Sequence, residues 1–199
     1  YSNAKALIEK VSAPFKLKPI SGLNRERTIP QNMTLASHYD SPQIRRTSLR
    51  LSQLIHKKSN LGKVLDIGCG TGLTSCLIKD RASYLHGVDL NADYLKVAFE
   101  KNIFDKLDQS DFLKWSQANK KFNTIVSCMV TYLVPDFKQF IAKVSSLLHV
   151  NGTAYIDIPT CSGSADQRRL DESFYRTKNF LMKVINQHNF VIKQEKIGP

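Results

Sequence analysis

The sequence predicts an α/β fold, a doubly wound and mainly parallel sheet with helices on both faces. Three observations carry this. From Lys63 onward, short apolar or β-branched runs alternate with helix-like segments, as repeated β-α units require. The apolar run at Val64 passes straight into a glycine-rich turn, VLDIGCGTG, and then into a helical pattern. Residues 137–148 put Phe137, Phe140, Ile141, Val144, Leu147 and Leu148 on one helical face, a stripe suited to packing on a sheet.

Taken in order, residues 14–36 carry three prolines with weak periodicity and read as irregular. Ser41-Pro42 opens a helix over residues 43–58, with Ile44, Leu51, Leu54 and Ile55 on one face and Arg45, Arg46 and Arg50 off it. A buried strand follows at 64–67, then a helix at 73–79 that begins inside the glycine loop, then a strand at 84–88. Asn91 is an N-cap for a helix over 92–101, and a short strand follows at 106–109. Residues 122–128, FNTIVSC, have the β-branched content of a central strand. Pro135-Asp136 starts the striped helix, and Asn151-Gly152 ends it with residues that tolerate φ > 0. A strand at 153–158, a helix at 173–187 and a strand at 190–195 complete the pattern. Ligands in such sheets sit beyond the carboxyl ends of the strands, at the switch point.

Composition sets the outer limits. With 199 residues, 42% apolar and 23% charged, the chain can bury a core without staples. No apolar run approaches the ~20 residues that span a bilayer, and no signal-peptide h-region is present, so a cytoplasmic protein is expected. Ser2-Asn3-Ala4 resembles the scar of an expression vector. Cys69, Cys76, Cys128 and Cys161 form no CxxC pair and have no His at metal-ligand spacing; they read as reduced thiols, with no metal site. Of the net +12 charge, residues 1–62 hold 11 Lys/Arg against 3 Asp/Glu. That basic excess suits an anionic metabolite or a nucleic acid, or is a solvated region; no aromatic or RNP-like pattern interleaves it, so nucleic acid is the less favoured partner.

The glycine loop excludes two nucleotide types. Its third glycine is Gly72, whereas a G-x-G-x-x-G dinucleotide fingerprint needs one at Leu73, and no Lys-Ser/Thr follows for a P-loop. The spacing is instead D-x-G-x-G-x-G from Asp66. Here the chain resembles the class I S-adenosylmethionine (SAM)-dependent methyltransferases, over roughly residues 63–159 and several motifs in order. LDIGCGTG is similar to the family's first motif, which implies that Asp66 and the backbone of Gly68, Cys69, Gly70 and Gly72 hold the methionine end of the cofactor. HGVDLNADYL is similar to the second, with Asp89 and Leu90 at the ribose; a carboxylate suits a vicinal diol. QSDFLKW resembles the third, with Asp111 accepting from the adenine amino group and Phe112 walling it. FNTIVSCMVTYLVPD, followed by VSSLLHVNGTAYIDIP, resembles the later motifs, with Ser127 near the cofactor. KNIFDKLDQSDF and SCMVTYLVPD are most similar to a bacterial group whose members are sometimes fused to TPR repeats.

The resemblance implies a Rossmann-like methyltransferase fold, methylation with S-adenosyl-L-homocysteine (SAH) as product, and residues 63–199 as the SAM-binding domain. Residues 1–62 become an N-terminal helical and irregular cap and lid. The final antiparallel strand of the family is short or missing here. The acceptor is expected to be a small molecule, an anionic one being compatible with the basic balance. The alternatives are an RNA or protein methyltransferase that uses the basic N-terminal region, and a non-catalytic SAM-binding module. Ser127-Cys128-Met129-Val130 replaces the [DNS]-P-P-[YF] signature of N-methylation, which disfavours base amino groups and glutamine side chains. Thr160-Cys161 resembles in part the Thr-Cys of RNA cytosine-C5 methyltransferases, but Cys128 follows Ser127 where those enzymes carry Pro. Tyr39 in a lid and Tyr132 after the fourth strand are the acceptor-side candidates. No catalytic residue is assigned; His38 is a candidate base, while His149 and His188 are expected at helix ends. The polar segment 160–172 is a candidate substrate loop.

Overall fold

The computed structural model describes residues 7–9, 42–116, 120–158, 177–188 and 190–191 of the chain. In chain order the elements are β1 (Leu7–Glu9), α1 (Pro42–Ile55), β2 (Gly62–Ile67), α2 (Leu73–Cys76), β3 (Ala82–Asp89), α3 (Ala92–Glu100), β4 (Lys106–Gln109), β5 (Phe122–Ser127), α4 (Phe137–Leu147), β6 (Leu148–Asp157) and α5 (Lys178–Gln187). Single 3-10 turns lie at Lys79–Arg81 and Thr131–Leu133.

The described strands form one six-stranded sheet in the order β1-β6-β5-β2-β3-β4, and every ladder is parallel. From β2 the chain adds β3 and β4 on one side, then crosses back to add β5 and β6 on the other. The reversal falls between β2 and β5, so their carboxyl ends form the switch point. Alternation along the strands feeds two cores. Leu65, Ile67, Ile125 and Ile156 meet Phe140, Ile141 and Val144 of α4 and Val184 and Ile185 of α5 on one face. Val64, Leu85, Val126 and Tyr155 meet Leu51, Leu54 and Ile55 of α1 on the other. Helices thus cover both faces, as the sequence predicts.

The boundaries differ from expectation where a local competitor wins. α1 ends at Ile55 rather than 58, because Arg81 Nη1 donates to the carbonyls of Ile55 and Lys58 at 2.9 and 3.2 Å and caps the helix there. α2 stops at Cys76 rather than 79. Leu77 and Ile78 donate to carbonyls three residues back, a tightened last turn that carries Ile78 into the core. Asn151-Gly152 does not end α4. The helix closes at Leu147, Leu148 is already paired with Phe122, and Asn151 (φ 62°) kinks the strand where the β5–β6 register shifts. His149, expected at a helix end, is therefore an exposed strand residue of β6. Asn91 caps α3 as expected, its side chain accepting from the N–H of Asp93 and Tyr94 at 2.9 and 3.2 Å.

Leu7–Glu9 is a strand to which the sequence reading assigned no element: Leu7 registers with Tyr155 and Glu9 with Asp157, at the edge beside β6. Three residues are too short for periodicity to reveal. Of the expected strand 190–195, Phe190 is buried against the α4–α5 core without strand pairing, and residues 192–195 lie outside the described residues. Residues 173–176 of the expected last helix also lie outside them; α5 starts after Thr177, whose Oγ1 accepts the Phe180 N–H at 3.3 Å.

Candidate functional site

β2 carries the chain to the switch point, and the glycines turn it there. Gly68, Gly70 and Gly72 have φ of 65°, 52° and 80°, which side-chain-bearing residues rarely adopt. The turn is pinned to β3, with the Gly68 and Cys69 N–H groups donating to the Val88 carbonyl at 2.8 and 3.2 Å. The Gly70 N–H donates to Asp89 Oδ2 at 2.7 Å, and the Asn91 N–H to Asp89 Oδ1 at 2.8 Å. Asp89 therefore joins the glycine loop to the start of α3. A carboxylate oxygen can accept two hydrogen bonds, so each keeps capacity for an outside donor such as a hydroxyl.

Beside the loop opens a cavity of about 630 Å³, in the size range of small-ligand sites. Gly68, Asp89, Leu90, Asp111 and Phe112, all singled out from the sequence, line it together. Asp111 Oδ1 accepts the Leu113 N–H at 2.9 Å, while its carbonyl accepts from Lys114 and Trp115. This turn is braced from behind by α4. The Phe112 ring meets Phe140 edge-on at 5.4 Å. Lys143 Nζ sits 5.2 Å from the Phe112 centroid and donates to the Leu113 and Trp115 carbonyls. Burial lowers the Lys143 pKa against the opposing pull of Asp111.

The facing wall is made by residues the sequence reading missed: Val130, Leu133 and Val134, in and around the 3-10 turn after β5. Apolar residues at such positions read as core, and only the fold turns them toward a cavity. Tyr132, the candidate between them, is half-buried and is not part of that lining.

Behind the loop the remaining candidates form a buried polar layer. Asp66 is 2% exposed and accepts the Ser75 hydroxyl at 2.6 Å. Burial pushes its pKa up to about 7, offset in part by Ser75 and aided by the charge of Asp89. A space of only about 20 Å³ lies here between Asp66, Gly68, Cys69, Thr74, Cys128 and Ser48. Ser48 of α1 accepts from Thr74 Oγ1 at 3.0 Å, which ties that helix to the loop's far side. Asp157, at the end of β6, has its pKa raised to about 6 by burial, against the bond donated by the Met129 N–H. Burial pushes the Cys128 thiol up to about 12 and Cys69 well above its ordinary range, so both remain thiols. Cys69 packs on Gly87, where an added Cβ would lie 2.8 Å from its sulfur, and an added Cβ at Gly72 would lie 2.9 Å from Phe104. Ser127 is fully buried at the end of β5, and its Oγ has no hydrogen-bond partner among the described residues.

Tyr39, His38, Cys161 and the segment 160–172 lie outside the described residues. His86, which the sequence gave no reason to single out, is buried with Nε2 2.9 Å from Asp108 Oδ2. Burial lowers its pKa against that bond, and the same carboxylate accepts from Trp115 Nε1 at 2.9 Å. This cluster lies outside the cavity lining. Among the described residues no three His, Cys, Asp or Glu are grouped to hold a metal, and no helix is long and apolar enough to cross a membrane.

Comparison with known proteins places this geometry. The chain is 29% identical over 132 residues to an uncharacterized methyltransferase of Bacillus pumilus, covering 65% of this chain and 61% of that one. It is 33% identical over 119 residues to a ubiquinone biosynthesis O-methyltransferase of Glaesserella parasuis, covering 54% and 50%. The chain thus spans about half to three-fifths of the length of these relatives. Among solved structures it resembles the N-methyltransferase NodS from Bradyrhizobium japonicum in complex with SAH, with TM-score 0.59 and 20% identity over 74% of this chain and 76% of that one. It also resembles an S-adenosylmethionine-dependent methyltransferase from Clostridium acetobutylicum, with TM-score 0.53 and 22% identity over 64% and 57%. The methyltransferase-domain family matches residues 36–196, from the segment before α1 to beyond α5. With most of its length inside that match and its sheet wound as in these structures, the chain belongs to the methyltransferase-domain family and has the Rossmann-like fold of its SAM-dependent class I members.

Proposed function

We propose that the chain binds SAM at the switch point and transfers its methyl group to a small molecule, in the cytoplasm, leaving SAH. The observation that carries this reading is Asp89. Its carboxylate is fixed by the Gly70 and Asn91 N–H groups and retains acceptor capacity at the rim of an apolar cavity, with Asp111 in the same lining.

The residues fit the group. A Cβ at Gly68 would overlap Val130, so glycine there lets the loop and the segment after β5 pack together at the cavity's edge. The cavity is large enough for a nucleoside, and its two carboxylates match a diol and an amino group. In this reading Asp89 and Leu90 hold the ribose and Asp111 and Phe112 the adenine. Asp66 and the backbone of Gly68, Cys69, Gly70 and Gly72 face the methionine end, with Ser127 beside it. When bound, SAM supplies a methyl group activated on a sulfonium. The chain's own residues then orient the acceptor and exclude water, for which positioning alone supplies a large part of the rate. In this reading the part of residues 1–62 outside β1 and α1 acts as cap and lid, with Tyr39 and Tyr132 on the acceptor side, while β1 and α1 belong to the sheet and its helical layer. Because the described lining carries carboxylates and no cation, an anionic acceptor would be met outside it, by a basic face such as the exposed Arg45 and Arg46 of α1.

The test is calorimetry with SAM and SAH on the wild type and Asp89→Ala, then transfer of labelled methyl to O- and N-acceptor panels. Loss of a charge-assisted diol clasp weakens SAH by about tenfold or more. Equal binding by Asp89→Ala refutes the ribose assignment. Binding without transfer to any small acceptor refutes the enzymatic part.

A further inference from the structure

Gly68 stands between two spaces of unequal size. On one side is the cavity of about 630 Å³ that contains Asp89 and Asp111. On the other is the space of about 20 Å³ beside Asp66, room for about one water molecule. Val130 lines the first space and packs on Gly68, its Cγ2 2.3 Å from where a Cβ there would lie.

Val130 is not there by default packing. It follows Met129, whose φ of 58° is one that residues with a side chain rarely adopt. Such strain persists only where the surroundings over-determine it. Asp157, 4% exposed at the end of β6, does so from both sides of Val130. Its carboxylate accepts the Met129 N–H, and its carbonyl accepts the Thr131 hydroxyl at 2.8 Å.

We propose that Val130, held in position by Asp157 through Met129 and Thr131, is a specificity-determining residue that partitions the nucleoside end of the site from its amino-acid end. This rests on the SAM-binding reading. In that reading a ligand with both ends reaches from Asp89 and Asp111 across Gly68 toward the space beside Asp66, which as it stands takes about one water molecule. Val130 therefore lifts from Gly68 to admit the tail, whereas a nucleoside alone binds with the partition closed. A ligand that needs a minor conformation binds in proportion to the population of that conformation, so loosening the partition favours the longer ligand selectively.

The experiment compares adenosine with SAH on the wild type, Val130→Ala, Thr131→Val and Met129→Gly, by calorimetry and surface plasmon resonance. Val130→Ala speeds SAH association about tenfold, while adenosine, which loses a wall contact and gains no room it needs, associates no faster than with the wild type. Thr131→Val, nearly isosteric, shifts SAH in the same direction by less. Met129→Gly, which adopts the turn without strain, leaves the SAH association rate near wild type. Unchanged SAH association in Val130→Ala overturns the proposal, as does an equal change for both ligands, which marks a merely structural role. If wild type binds neither ligand, the SAM reading itself has failed.

Discussion

Asp66 lies one residue before the end of β2 with 2% of its surface exposed, whereas Asp89 ends β3 half-buried with two backbone N–H donors on its carboxylate. The first is a carboxyl whose charge is penalised. It titrates near 7 when folded, against an ordinary 3.8, so the folded state binds more protons than the unfolded one between those values. Stability from this group is full below the unfolded value and is lost as pH rises through the folded one. Asp157 contributes in the same sense but is spent above about 6. From pH 6 to 8 the wild type should therefore lose about 1.4 kcal/mol through Asp66. Asp66→Asn, which can still accept from Ser75, should flatten that slope in urea titrations across the interval; an unchanged slope would mean that Asp66 is ionised throughout.

At the scale of elements, α1 has two duties. Its Leu51 and Ile55 are fully buried against Val64 and Leu85 on one face of the sheet, and its Ser48 touches Thr74 behind the glycine loop. Ile55→Ala should cost about 2–5 kcal/mol by removing buried volume that the sheet cannot refill. Arg46→Ala, on the exposed face, should stay within about 0.5 kcal/mol. Denaturant midpoints at constant m-value decide both. The α4 helix couples packing to the site in a comparable way: its Phe140 and Lys143 brace the turn that presents Asp111. Its stripe was legible because Phe137, Phe140, Ile141, Val144 and Leu147 keep helical spacing; Leu148, counted with them from the sequence, starts β6 instead. Its second task was not, because nothing in the spacing says which neighbour lies above Phe140.

Over the whole molecule, one sheet is shared by two helical layers, with β2 and β5 at its centre. The amides of Leu65, Ile125 and Val126, in fully buried central strands, should exchange only through global unfolding. Saturation with SAH at a hundredfold excess over its dissociation constant should slow them by a further ~2.7 kcal/mol. Mass-resolved hydrogen exchange with and without SAH measures this. Central-strand amides that escape by local opening would show that the two layers unfold separately.

Local and periodic features were legible before folding. Alternating strand and helix patterns set the wound sheet, the glycine spacing from Asp66 set the loop, and Asn91 set a cap. Asp89 and Asp111 were readable because each ends or follows a strand in register with that loop. Which strand ends meet depends on the folded chain. It brought Val130, Leu133 and Val134 to the cavity, put a strand at Leu7–Glu9, moved Asn151 into a strand and sank Asp66 behind the loop. The physical reason is that an apolar or acidic side chain has the same local signature whether it meets core, cavity or a strained neighbour. Its chemistry follows from partners distant in sequence, as Met129 and Thr131 are from Asp157.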